Sequence, residues 1–217
     1  MEFSNVNWSL YAIIDKSFLG GRPIKQIAEA LLEGGVGVIQ LRDKTGDIRA
    51  FYDDALALKQ VAAYHQAPFI VNDRADVAIA ADADGVHVGQ EDLPVPVVKA
   101  LLGKDKIIGV SVHDLQEFER MAGHDPTYFG VGTIYKTATK SERNATGTAI
   151  IKQVRARTDK PIVAIGGIDV ANAAPVIEAG ADGVAVISAL LCAPDVRTEA
   201  EAFIRTIQQT SKKKRPI

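Results

Sequence analysis

Eight short runs rich in Val, Ile and aromatic residues recur along this chain, and helical patterns lie between them. The runs are LYAII (10–14), VGVIQL (36–41), PFIV (68–71), GVHV (85–88), IIGVSV (107–112), YFGVG (128–132), PIVAI (161–165) and GVAVI (183–187). Most are too short for helices and too continuously apolar for a sheet with one wet face. They read as strands buried on both sides, as in a parallel sheet. IKQIAEALLEGG and IRAFYDDALALKQVAAYHQ carry apolar residues at helical spacing, and DLQEFERMAG ends on Gly123. DVANAAPVIEAGAD opens on an acid, Asp169, expected to cap its helix, and closes on Gly180. Eight βα units in 217 residues predict one domain, a (β/α)8 TIM barrel over residues 1–217. An open doubly wound sheet usually has fewer strands, and no GxGxxG follows the first run.

Composition narrows the class. At 47% hydrophobic the chain can bury one sizeable core, and a formal net charge of −2 supplies no basic field for nucleic acid or membrane. The one strongly basic run, KKKRP, places a flexible, solvated tail at residues 211–217. A single cysteine, Cys192, excludes an internal disulfide and points to a reducing compartment; it is expected to pack. The polar start MEFSNVNWSL lacks the pattern of a signal peptide, and no apolar run approaches the ~20 residues of a membrane span. The expectation is a soluble cytoplasmic protein, with homo-oligomerisation left open.

In such barrels chemistry sits at the C-terminal ends of the strands. Arg42 and Lys44, two apart on an extended segment, can face one way and suit an oligophosphate, or they simply flank a surface turn. Asp73 and Asp92 follow neighbouring strands. Two facing carboxylates beside Arg, Lys and Asn72 suit a Mg²⁺–diphosphate site. The bland alternative has each acid capping the helix after it. The long polar loop starting at KTATK offers Thr137, Thr139 and Lys140, as a functional lid or as a mere connection. GGI (166–168) and GVAVISAL (183–190) fit a phosphate monoester held after strands 7 and 8. His87 and His113 are read as pocket wall or acid/base groups. No Ser/His/Asp or Cys/His constellation stands out.

Taken in order, QLRDK, VNDRAD, GVHVGQEDL, IGVSVH, GTIYKTATK, AIGGI and GADGVAVIS resemble the thiamine phosphate synthase family from LYAIID to ISALL. That resemblance implies a (β/α)8 barrel and a Mg²⁺-dependent transferase of thiamine biosynthesis. The family condenses 4-amino-2-methyl-5-hydroxymethylpyrimidine diphosphate with hydroxyethylthiazole phosphate, or its carboxylated form, and releases diphosphate. It implies that Gln40, Leu41, Arg42, Asp43, Lys44, Asn72, Ser111 and Lys140 hold the pyrimidine diphosphate, with Arg42, Lys44, Ser111 and Lys140 acting in catalysis. It implies Mg²⁺ on Asp73 and Asp92, and the thiazole phosphate on Thr137, Ala138, Thr139, Gly167, Ile187 and Ser188. The family pattern has Gly-Pro where this chain has Gly132-Thr133, often Glu at Asp43, and SAH where SVH stands. Two other readings of the scaffold are a thiazole tautomerase, expected to need a histidine on strand 6, and a non-catalytic thiamine-phosphate-binding regulator.

Overall fold

The computed structural model describes residues 5–137 and 145–213. Its eight strands are β1 (Leu10–Asp15), β2 (Val38–Arg42), β3 (Phe69–Asn72), β4 (Gly85–Val88), β5 (Ile107–Val112), β6 (Tyr128–Val131), β7 (Ile162–Ile165) and β8 (Gly183–Val186). All pair in parallel with their sequence neighbours, and β8 closes on β1. The outer helices are α1 (Ile24–Glu33), α2 (Ile48–Tyr64), α3 (Ala75–Ala80), α4 (Val95–Leu102), α5 (Leu115–Ala122), α6 (Ala149–Arg155) and α7 (Ala173–Glu178). After β8 come a short α8 (Ser188–Leu191) and a long α9 (Val196–Lys213). The expected (β/α)8 barrel is the fold observed.

Strand alternation splits the buried residues into two cores. One side of each strand, as with Leu10, Ala12 and Ile14 of β1, packs outward against the helices. The other side fills the barrel, where Trp8, Tyr11, Val38, Ile70, Ile107 and Tyr128 make an apolar and aromatic floor. Higher up, the inward positions turn polar, with Gln40 and His87 lining a cavity at the barrel centre. The side chains that form the mouth are therefore the inward residues at the strand ends and in the loops that follow.

Three expectations need correction. Asp169 does not cap α7, whose preceding residue is Asn172. Asp169 and Asn172 instead exchange hydrogen bonds, each side-chain oxygen accepting the other's backbone N–H at 2.9 Å. This is a local turn that competes with earlier helix entry. The basic tail does not begin at 211, because α9 runs through Lys213; residues 214–217 lie outside the described residues. Its cause is visible in the periodicity: Val196, Ala200, Phe203, Ile207 and Thr210 are all buried, a stripe continuing to within a turn of the helix end. Cys192 is exposed rather than packed, since α8 turns Leu190 and Leu191 inward and leaves the next residue in solvent. Among the described residues, no helix is long and apolar enough to cross a membrane.

Candidate active site

The QLRDK stretch does not act as a block. Gln40 and Arg42 point into the barrel, whereas Leu41 is fully buried in the outer core and offers no side chain to the mouth. Arg42 is neighbour to Asp15 in the β1–β2 register, and the two form a salt bridge. The Asp15 carboxylate also accepts the Ser17 N–H at 3.0 Å and the Ser17 hydroxyl at 2.6 Å. Asp43 lines a neighbouring cavity, but its carboxylate accepts the Thr45 N–H at 2.7 Å and lies 3.5 Å from Lys16 Nζ. That pairing directs it toward the first βα loop.

Asp73 and Asp92 do come together. β3 ends in a left-handed residue, Asp73 at φ 61°, whose N–H bonds to the His87 carbonyl at 2.8 Å. A non-glycine in that region is uncommon, although Asp tolerates it better than most, and such conformations concentrate at functional sites. Neither acid caps a helix: α3 follows Arg74 and α4 follows Pro94, with no side-chain cap bond at either. Lys44 pairs with Asp73, and the Asp92 carboxylate accepts the Gly89 N–H at 2.6 Å. Burial holds the Asp92 carboxyl above its ordinary value; Asp73 alongside adds to this, and the Gly89 N–H opposes it. Lys44, Asn72, Asp73 and Asp92 line two adjoining cavities of about 300 and 200 Å³. Two carboxylates that cap no helix, one of them holding its proton to higher pH than usual and both open to a cavity, form a donor pair that could hold a small hard divalent cation.

The second of these cavities also reaches Arg42, Ser111 and His113, and there it meets a third, of about 380 Å³. Thr137, Gly167, Ile187 and Ser188 line that third space, which also lies over Gly130 and Ala185. Gly167 sits at φ 63°, and a Cβ there would fall 2.5 Å from the Lys136 carbonyl. Only glycine suits this close turn, which leaves backbone facing the cavity. Ala138, Thr139 and Lys140 lie outside the described residues. Thr133, where the family pattern has proline, is buried, and its carbonyl accepts both the N–H and hydroxyl of Thr146 at 2.9 and 3.0 Å. The Ile134 and Tyr135 N–H groups bond to the Ile165 and Gly166 carbonyls, tying the exit of β6 to β7.

Beneath the junction runs a chain of polar side chains. Gln40 Nε2 donates to the Tyr11 hydroxyl at 2.8 Å, and Tyr11 meets Tyr128 hydroxyl to hydroxyl at 2.8 Å. Tyr128 meets His87 Nδ1 at 2.8 Å, and His87 Nε2 meets Ser111 Oγ at 2.9 Å. His113 also lines the junction, with its Nδ1 at 2.7 Å from Glu117. Gln90 donates to the Ser111 carbonyl at 2.6 Å. The sequence reading missed Asp15, Tyr11 and Tyr128. The two tyrosines looked like ordinary strand aromatics; counting inward parity from Ser111 and Gln40 across the register is the signal that finds them.

A (β/α)8 barrel whose mouth joins an acid–base–amide compartment to a glycine-lined one has the architecture of an enzyme, with a lining suited to small anionic molecules. The model of the thiamine monophosphate synthase family matches residues 10–190. A thiamine-phosphate synthase of Clostridium acetobutylicum is 41% identical over 209 residues, covering 96% of this chain and 99% of that one. One from Shouchella clausii is 45% identical, covering 93% and 97%. Among solved structures, a thiamine phosphate pyrophosphorylase from Pyrococcus furiosus aligns with a TM-score of 0.86 at 35% identity, over 94% of this chain and 98% of that chain. The chain belongs to the thiamine monophosphate synthase family.

Proposed function

We infer that this chain is a transferase that joins a pyrimidine-methyl diphosphate to a thiazole phosphate, giving thiamine phosphate and diphosphate. The observation that carries the reading is the meeting of two unlike compartments at Arg42 and Ser111. One has a carboxylate pair, Lys44 and Asn72, suited to a metal-bound diphosphate. The other has the backbone turn at Gly167 with Ile187 and Ser188, suited to a phosphate monoester. The reacting ends of the two substrates then meet in the middle.

The chemistry asks little of protein nucleophiles. The C–O bond to diphosphate breaks with its electron pair leaving on oxygen, and the thiazole nitrogen donates its own pair to the methylene carbon. No proton has to move. The residues' work is to position the two partners and to stabilise charge on the departing oxygens. Arg42 offers a guanidinium fork, Lys44 a point charge and Ser111 a hydroxyl donor. Asp73 and Asp92 would hold Mg²⁺, which when bound supplies further positive charge against the diphosphate. β6 carries Tyr128 and Gly130 at its inward positions and no histidine, so the tautomerase reading has no support there.

The test is product formation by the purified protein. With both substrates and Mg²⁺, thiamine phosphate and diphosphate should appear in equal amounts. Omitting either substrate, or adding EDTA, should stop both. Isomerised thiazole phosphate in place of thiamine phosphate, or no product from folded protein, would overturn the reading.

A further inference from the structure

The polar chain under the site has a direction. Gln40 Nε2 donates to the Tyr11 hydroxyl, and the acceptor in reach of the Tyr11 proton is the Tyr128 oxygen, so the arrangement that leaves neither buried phenol proton unused runs from Tyr11 to Tyr128. Tyr128 then has its own proton left for His87 Nδ1. An imidazole that accepts at Nδ1 carries its hydrogen on Nε2, which faces Ser111 Oγ. The Ser111 hydroxyl, already accepting from His87, has its proton left for the cavity junction it lines. Burial raises the pKa of both phenols, so each keeps the proton the chain requires.

The barrel is cut to accommodate these rings. A Cβ on Gly109 would fall 2.1 Å from the Tyr128 ring, and one on Gly130 would fall 2.9 Å from the His87 ring. Tyr128 is braced by Trp8 at 4.7 Å between ring centres, and by Tyr11 at 5.8 Å. Hydrogen bonds in series polarise one another, and a buried network of this kind holds its last member in one orientation.

We propose that Tyr11, Tyr128 and His87 are positioning residues that hold His87 as its Nε2–H tautomer and so aim the Ser111 hydroxyl proton at the substrate. This rests on the proposed synthase reading for its catalytic effect, with the Ser111 hydroxyl donating a hydrogen bond, and transferring no proton, to the diphosphate side of the pyrimidine substrate. It assigns the tyrosines no contact with substrate.

Two measurements test it, and one is independent of turnover. Nitrogen-15 NMR of the imidazole in wild-type protein should show His87 as the Nε2–H tautomer. Tyr128→Phe should give a mixture or the other tautomer. An Nδ1–H tautomer in the wild type overturns the proposal whether or not the enzyme turns over. The second is a double-mutant cycle on kcat. Tyr128→Phe should lower kcat roughly 5–10-fold, the scale of one lost buried hydrogen bond. In a Ser111→Ala background the same change should cost less than about 2-fold, because its route of action is gone. A full Tyr128→Phe effect persisting without the Ser111 hydroxyl would show a merely structural role and sink the idea. If Tyr128→Phe does not fold, the wild-type tautomer alone decides. Thiamine phosphate production by the wild type separates failure of this proposal from failure of the synthase reading.

Discussion

Asp92→Asn is expected to stop product formation and, in EDTA at neutral pH, to raise the melting temperature. Both follow from one feature. Asp92 is held beside Asp73 in a partly buried position, and its carboxyl lies above the ordinary value. For such a group the folded state binds more protons than the unfolded state between the two pKa values. Stability therefore falls as pH rises from the unfolded carboxylate value, about 3.9, through the raised folded value. Above that window the cost is fully present, so removing the charge at pH 7 stabilises. Below about pH 4 both states are protonated and the gain should vanish. Asn keeps an oxygen for the Gly89 N–H, so the loop should persist. In a chain of this size each kcal/mol shifts the melting temperature by about 2–4 °C, well within calorimetric reach. Activity should fall at least about 100-fold, the upper end of the cost of losing a partner that merely supports a metal ligand. Retained turnover would remove Asp92 from the metal assignment, and a lowered melting temperature at pH 7 would contradict the crowded-carboxylate account.

Arg42→Gln should damage both stability and turnover, and the two losses should be separable. Arg42 is the cation against Asp15, whose side chain is only 3% exposed. Removing one partner of a buried pair leaves an uncompensated charge and costs about 3–5 kcal/mol. The same substitution takes the guanidinium fork from the junction of the two compartments, where loss of a preorganised donor lowers kcat by about 10²–10³. Adding Asp15→Asn removes the orphaned charge. The double variant should recover most of its urea midpoint while kcat stays at the level of Arg42→Gln. Recovery of turnover along with stability would show that Arg42 acts only by supporting Asp15.

These tests also mark what the chain's sequence reveals. The barrel was legible because parallel strands covered on both faces are continuous apolar runs, and eight of them stand out. Asp73 and Asp92 were legible as acids after neighbouring strands, and the structure sets them side by side. The left-handed turn that lifts Asp73 off β3 leaves no distinct local pattern, because Asn-Asp reads equally well as a helix cap. QLRDK was read as a unit, yet strand parity sends Leu41 outward and loop pairing draws Asp43 to Lys16. The buried chain from Gln40 to Ser111 draws on five strands, β2, β1, β6, β4 and β5, and only the closed barrel brings Tyr11, Tyr128 and His87 together. Contacts so distant in sequence are invisible to local pattern. The run of α9 past Ser211 was obscured by the basic composition of its last residues, although its apolar stripe was already at helical spacing.

The central claim is that the mouth has two halves, one for each substrate, divided at Arg42 and Ser111. Calorimetric titration of wild type and Asp92→Asn with each substrate tests it most directly. The pyrimidine diphosphate should bind wild type more tightly with Mg²⁺ than with EDTA, and Asp92→Asn should lose that difference. The thiazole phosphate should bind both proteins alike, with or without Mg²⁺. Thiazole phosphate affinity that follows Mg²⁺ and Asp92, with pyrimidine diphosphate indifferent to both, would contradict the account.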